Sequence, residues 1–93
     1  MINVLKIYIP SFASQFEYDQ YKELADDREK LHTELSAYEM MITLMKRKIE
    51  LDGSFVVRGP LILSDMVKWL KKNNYENSGK YRSLYYAEQA KLF

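Results

Sequence analysis

A long uninterrupted stretch, residues 14–51, contains neither proline nor glycine and constrains the fold of this chain more than any other feature. Side chains spaced three and four positions apart form an a/d heptad seam over about four heptads. The seam residues are Tyr21, Leu24, Arg28, Leu31, Leu35, Tyr38, Ile42, Met45 and Ile49. Ser14 and Glu17 have the spacing of a capping box, and Asp52-Gly53 is a typical helix end. The pattern predicts one long amphipathic helix over about 14–51.

A continuous helix of that length would measure about 57 Å at ~1.5 Å per residue, whereas a compact domain of 100 residues has a radius of gyration of about 13 Å. The remaining residues are too few to cover it. We therefore expect the seam from Tyr21 to Tyr38 to pack on a second molecule as a coiled coil, most simply in a homodimer, with Arg28 influencing the register. The alternative is an intramolecular bundle in which the helix breaks near Asp26-Asp27 and folds back.

Two short runs suited to β-strands lie on either side of the long helix. Residues 4–9 alternate with period two before Pro10, and residues 54–58 are rich in β-branched side chains before Gly59-Pro60. These runs predict a small two-stranded sheet, although the second run could instead form a hairpin with residues 61–63. Two C-terminal helices are predicted over about 64–73 and 79–92, with an asparagine-rich turn between them.

Together these elements predict an α+β fold that is mostly helical. A chain of 93 residues has the size of a single domain, 1–93. Within it, helix 14–51 would be the dimerisation or partner-binding arm, and residues 54–93 would form a basic helical module.

Composition excludes several kinds of site and of location. The chain has no cysteine, which rules out disulfides, thiolate zinc sites and cysteine nucleophiles. No run approaches the ~20 apolar residues of a membrane span, and the short N-terminal apolar run contains Lys6, unlike a signal peptide. We expect a cytoplasmic protein, in the host cytoplasm if the source is viral; the small size and lack of catalytic chemistry would suit a phage protein.

Charge is distributed unevenly along the chain. Residues 1–52 carry ten acidic and seven basic side chains, a net charge of −3, whereas residues 58–93 carry three acidic and seven basic, a net charge of +4. This asymmetry indicates a basic C-terminal surface that could face nucleic acid or an acidic protein. An uneven but solvated surface charge is the simpler interpretation.

The last predicted helix has two distinct faces. One face, with Tyr81, Leu84, Tyr85 and Leu92, is expected to pack on helix 64–73. The other presents arginine, tyrosine and glutamine, which can contact phosphates and base edges, and the two helices would then form a helix-turn-helix-like unit. The expected contact residues, all outside the core, are Lys68, Lys71, Lys72, Lys80, Arg82, Tyr86 and Gln89. A last helix that mostly contributes to the core is the competing interpretation.

The last five residues, Gln89-Ala90-Lys91-Leu92-Phe93, resemble the short docking peptides that place Gln and a Leu-Phe pair in the pockets of bacterial sliding clamps. The resemblance implies a nucleic-acid-processing protein as a partner. A terminal Leu-Phe pair can enter an apolar pocket with little ordering cost.

No catalytic arrangement is visible in the sequence. His32 is the only histidine and cannot complete a catalytic triad or a multi-histidine metal site. The neighbouring carboxylates Asp26, Asp27 and Glu29 would point to different sides of a helix, and Ser78-Gly79-Lys80 lacks the glycine run of a phosphate loop. We predict that the protein is not an enzyme and has no metal, cofactor or small-molecule substrate.

These features favour a non-catalytic regulatory or adaptor protein. It would dimerise through the long helix and contact DNA or nucleic-acid machinery through the basic C-terminal helix pair. The alternative is a protein-only binder, an inhibitor or assembly factor, that engages its partner through the heptad face. The seam does not distinguish these two functions, because a partner helix and a second copy require the same residues.

Overall fold

The computed structural model describes residues 5–92. Its elements, in chain order, are β1 (Lys6–Ser11), α1 (Gln15–Leu24), a 3₁₀ turn (Arg28–Lys30), α2 (Leu35–Leu51), β2 (Phe55–Pro60), α3 (Leu63–Lys72) and α4 (Gly79–Ala90). The mostly helical α+β class predicted from the sequence is confirmed. Both strands and both C-terminal helices lie within about two residues of their predicted positions. Residue 4, the predicted first residue of β1, lies outside the described residues.

The prediction of one continuous helix over 14–51 is wrong, because the chain leaves the helix at Leu24 and resumes it at Leu35. Ala25 is fully buried with an extended ψ of 134°. The next residue, Asp26, donates its backbone N–H to the carbonyl of Asn77 at 2.8 Å and accepts the N–H of that same residue on its carboxylate at 2.9 Å. Aspartate side chains that bond to backbone groups offer the chain an alternative to the helix. The alternative of a break and fold-back near Asp26-Asp27 is what the structure shows.

Side chains at and just before the first turn of α1 fix the starts of both α1 and α2. Ser14 Oγ accepts the N–H of Glu17 at 3.2 Å, and Glu17 Oε2 accepts the N–H of Ala13 at 3.0 Å, so the predicted cap is present. Gln15 Oε1 accepts the N–H of Leu35 at 2.8 Å, which satisfies a free donor at the start of α2. The two helices are therefore joined by a capping contact as well as by the chain.

The two strands pair in parallel, with Lys6 opposite Phe55 and Ile9 opposite Arg58. Parallel pairing requires a long crossover between the strands, and α1, the 3₁₀ turn and α2 supply it. The Arg58 guanidinium binds Glu39 of α2 at 2.6 and 3.0 Å and donates to the carbonyl of Pro10 at 2.8 Å. This side chain links the sheet to α2.

The core is rich in tyrosine and draws on residues from β1 to α4. Its buried members are Ile9, Tyr18, Tyr21, Tyr38, Ile42, Met66, Leu70 and Tyr85. The Tyr18 hydroxyl donates to the carbonyl of His32 at 2.7 Å, and the Tyr38 hydroxyl donates to that of Pro10 at 2.7 Å. Burial raises the pKa of Tyr18 to about 12, which keeps the phenol protonated as a donor. A buried hydroxyl without a partner would cost about 1–3 kcal/mol, so these bonds allow tyrosines to fill the interior.

Candidate nucleic-acid interface

The predicted contact residues separate into an exposed group and an inward group. Lys68, Lys71, Lys72 and Lys80 are exposed as expected. Arg82 is 3% exposed, while Tyr86 and Gln89 are half-buried. The expectation that all seven lie outside the core is therefore wrong for Arg82, which is buried, and for Tyr86, which packs against the core.

The lysines of α3 face solvent because the opposite face of that helix is in the core. Met66 and Leu70 are fully buried one turn apart, and Lys68, Lys71 and Lys72 are three and four residues apart on the other side of the helix. Within the described part of the chain, none of the three forms an ion pair. Their charges are free to act on a ligand.

The orientation of α4 differs from the predicted one. Of the face expected to pack on α3, Tyr85 is buried with its ring 5.5 Å from that of Trp69, but Leu84 and Leu92 are 45% and 77% exposed. Arg82 and Ala90 are buried instead. The apolar spacing was therefore right for Tyr85 and wrong for Leu84 and Leu92, because the helix is rotated to bring an arginine inward. The cause of that rotation is an ion pair with a residue 55 positions earlier in the chain.

Arg82 is held by a complete set of acceptors. Its guanidinium binds Asp27 through two parallel bonds of 2.8 and 2.9 Å, and donates to the carbonyl and side-chain oxygens of Asn77 at 2.8 and 2.9 Å. Gly79 donates its backbone N–H to Asp27 at 3.0 Å. The hydrogen bonds from Arg82 hold the pKa of Asp27 below its usual range. This cluster locks the α3–α4 turn onto the α1–α2 connection.

Tyr86 has an inward role as well. Its hydroxyl and that of Tyr21 lie 2.8 Å apart, and its ring packs at 5.8 Å from that of Tyr8 on β1. Burial raises the pKa of Tyr86 well above its ordinary value. The tyrosine therefore joins α4 to α1 and β1 and is not presented to a ligand. Sequence pattern alone missed this contact, since its partner lies 65 positions away.

A row of aromatic rings connects α3, the α3–α4 turn and the start of α4, and the sequence pattern gave no sign of it. The rings of Tyr75 and Tyr81 stack at 4.5 Å with an interplanar angle of 16°, and Trp69 lies 5.7 Å from Tyr75. All three side chains are half-buried. The Lys80 ammonium is 5.3 Å from the centre of the Tyr81 ring. We call the four lysines Lys68, Lys71, Lys72 and Lys80, together with these three rings, the lysine-aromatic surface.

Two exposed carboxylates accompany this surface. Asp65 lies in the first turn of α3 and Glu76 in the turn before α4. Four lysines stand against two carboxylates, so the surface keeps a positive excess. Lys91 adds nothing to it, because Glu88 neutralises that ammonium at 3.3 Å.

The heptad seam is not presented as one surface. Tyr21 and Tyr38 are buried, and Leu31 and Leu35 pack partly against the core. Leu24 and Arg28 are exposed. However, Leu24 is the last residue of α1 and Arg28 is the first residue of the 3₁₀ turn, so the two belong to no common helix. The seam predicted for a coiled-coil partner is therefore wrong as a continuous surface, because the fold-back turns most of it into the protein's own core.

Of the docking-peptide residues, Gln89 and Ala90 end α4, Lys91 and Leu92 form a turn, and Phe93 lies outside the described residues. His32 is exposed, with Nε2 3.4 Å from the sulfur of Met41. Among residues 5–92 no group of three or more metal-ligating side chains comes together. In that same range, no helix combines the length and apolar character that crossing a membrane requires.

No protein-family model matches this chain, and comparisons with curated proteins and with solved structures find no match. Functional inference therefore depends on the geometry of the lysine-aromatic surface and of the remaining exposed features.

Proposed function

We propose that this protein is a non-catalytic regulatory or adaptor protein that binds nucleic acid, and that it does so through the lysine-aromatic surface. The observation that carries the proposal is the set of exposed lysines on the two C-terminal helices, Lys68, Lys71, Lys72 and Lys80, none of which forms an ion pair with any of residues 5–92. The half-buried rings of Trp69, Tyr75 and Tyr81 belong to the same two helices and the turn between them, and the Lys80 ammonium lies over the Tyr81 ring. Lysines neutralise phosphates, and aromatic rings offer faces on which bases stack.

Single-stranded nucleic acid suits this surface better than a duplex. Base stacking on Trp69, Tyr75 or Tyr81 requires unpaired bases, whereas major-groove reading requires an exposed recognition helix. The inward rotation of Arg82 and Tyr86 removes two side chains that such a helix would use. The surface is therefore unsuited to a helix-turn-helix mode of binding.

The test is a titration of a labelled single-stranded oligothymidine, followed by fluorescence anisotropy at 50 and 200 mM salt. Four phosphate contacts on a single strand predict a salt slope of about 2.8 and an affinity loss of about 50-fold between these salt concentrations. A duplex of the same length should bind more weakly. Trp69 is the only tryptophan, and its fluorescence should be quenched if bases stack nearby. Absence of binding at 50 mM salt contradicts the proposal.

A matched pair of variants localises the contact. Lys71→Ala removes one exposed charge from the surface and is expected to lower the salt slope by about 0.7, the contribution of one single-strand phosphate contact. Arg47→Ala removes an exposed charge of α2 that pairs with no carboxylate in the described part of the chain, and it should leave the slope unchanged. Equal effects of the two substitutions would show that net charge, and not this surface, controls binding.

The second candidate function is the protein-only binder, an inhibitor or assembly factor. Its predicted heptad face is largely in the core, but α2 keeps an exposed apolar stripe of Met40, Leu44 and Leu51. Large exposed apolar side chains on one helix face favour contact with another protein. Pull-down of a partner by the wild-type protein, lost with Leu44→Asp and kept with Lys71→Ala, would support this function over nucleic-acid binding.

A further inference from the structure

A small pocket lies between the end of α1 and the second half of α3, beside the turn that leads to α4. It has a volume of about 230 Å³. Its lining includes three apolar residues, Leu24, Val67 and Leu70, and three residues with polar groups, Asp26, Lys71 and Tyr75. Lys71 and Tyr75 also belong to the lysine-aromatic surface, so the pocket is continuous with the surface proposed to bind nucleic acid.

The polar groups that line the pocket are either engaged or open. Asn77, which also lines it, donates its backbone N–H to Asp26 Oδ2 at 2.9 Å and its Nδ2 to the carbonyl of Leu24 at 2.8 Å. By contrast, Asp26 Oδ1, the Lys71 ammonium and the Tyr75 hydroxyl form no hydrogen bond or ion pair with residues 5–92. The pocket therefore offers a ligand one open carboxylate oxygen and one open ammonium.

The size of the pocket suits a single planar ring system. An apolar cavity of about 150 Å³ holds a benzene molecule, whereas pockets for larger ligands begin at about 300 Å³. The Tyr75 ring stacks on that of Tyr81 at 4.5 Å, so a ring bound here would adjoin the row of aromatic rings. The complementary ligand has a flat body, N–H donors for Asp26 and a negative charge for Lys71.

We propose that this pocket binds a guanine base, and that the single strand proposed above presents it, so the source of the base rests on the proposed function. Guanine carries a ring N–H next to an amino group, and this pair of donors matches a carboxylate, which accepts only. Lys71 would neutralise a phosphate next to the base.

The other bases match the open carboxylate less well. Adenine and cytosine place their amino group beside a ring nitrogen that is an acceptor, and thymine has one N–H between two carbonyl oxygens. These acceptors would face the Asp26 carboxylate, and an unpaired, repelled acceptor lowers the affinity of the wrong ligand. The charge of Asp26 therefore predicts selectivity for guanine.

The first test compares oligothymidine strands that differ in one central base. By fluorescence anisotropy at low salt, a strand with one guanine is expected to bind about tenfold more tightly than the all-thymine strand, the discrimination that one good base contact provides. Strands with a central adenine or cytosine should bind like the all-thymine strand. Equal affinities of all four strands overturn the guanine pocket but leave the proposed function standing.

A matched pair of variants assigns the preference to Asp26. Asp26→Asn should abolish it, because one carboxylate oxygen becomes an amide N–H that opposes the donors of guanine, while the other can still accept from Asn77. Asp65→Asn removes the same charge from an exposed carboxylate of α3 outside the pocket and should keep the preference. A guanine preference that survives in Asp26→Asn, or is lost equally in both variants, overturns the proposal. Circular dichroism confirms that each variant keeps its helices.

Free nucleotides test the pocket in the wild-type chain without any strand. In amide-detected NMR, millimolar guanosine monophosphate is expected to shift the backbone amides of Lys71 and Asn77, whereas uridine monophosphate, with the same ribose and phosphate, should shift them much less. The amide of Thr43, exposed on α2, is the reference. Equal shifts with both nucleotides, or none, overturn the pocket. Selective shifts in a chain that binds no strand would instead overturn the strand as the source of the base, and the proposed function with it.

Discussion

At the scale of single residues, Arg82 has the greatest structural effect of any residue in the expected contact set. Sequence pattern placed it on an exposed stripe, but its guanidinium satisfies two acceptors on Asp27 and two on Asn77 in the interior. A planar, bidentate donor set is what arginine supplies and lysine does not. The residue therefore stabilises the junction between the two halves of the chain.

Arg82→Ala is expected to destabilise the protein by about 3 kcal/mol, since removal of one partner leaves a partly buried carboxylate without its counter-ion. Urea unfolding monitored by circular dichroism measures the change. Lys80→Ala, two positions earlier and exposed, should lie within about 0.5 kcal/mol of the wild type. Equal stabilities of the two variants would place the Arg82 side chain in solvent.

The same ion pair predicts a pH dependence. The pKa of Asp27 is lowered in the folded protein by its hydrogen bonds to Arg82, so the unfolded chain binds the proton more readily. The resulting stability is present above the unfolded-state pKa of about 3.9 and is lost as the pH falls through the lower folded-state pKa. Asp27→Asn should flatten the change in unfolding free energy between pH 5 and pH 2. An unaltered pH profile in Asp27→Asn contradicts this assignment.

At the scale of elements, the connection between α1 and α2 determines how the chain folds. The heptad spacing continues through Asp26 and Asp27, so periodicity alone gives no sign of a break. Long-range bonds from these two aspartates to Asn77, Gly79 and Arg82 stabilise the turn. The bonds require the α3–α4 turn to be in place, so the break in the helix is a tertiary effect.

Gln15 is expected to contribute to the start of α2 although it belongs to α1. Gln15→Ala removes the acceptor of the Leu35 N–H and a donor to the carbonyl of Thr33, which predicts a loss of about 1 kcal/mol in urea unfolding. Gln20→Ala, on an exposed position of the same helix, is the matched control. If both substitutions have the same effect, the cap contributes nothing beyond helix propensity.

At the scale of the whole molecule, the homodimer expected from the seam stays a prediction and has to use a different surface. The candidate is the outer face of α2, where Met40, Leu44 and Leu51 are exposed. Leu44→Asp should convert a dimer to a monomer in sedimentation analysis at tens of micromolar. Leu24→Asp, on the former seam, should leave the mass unchanged. A monomeric wild-type chain contradicts the homodimer.

The sequence by itself determined the element types, because strand alternation, capping residues and apolar helical stripes are local patterns. The strands, α3, α4 and the Ser14 cap were predictable on this basis, as was the exposure of Lys68, Lys71 and Lys72 opposite a buried stripe. Only the tertiary structure decided that the heptad helix breaks and that Arg82 and Tyr86 turn inward. Their partners lie 55 and 65 positions away, and local periodicity contains no information about bonds of that separation.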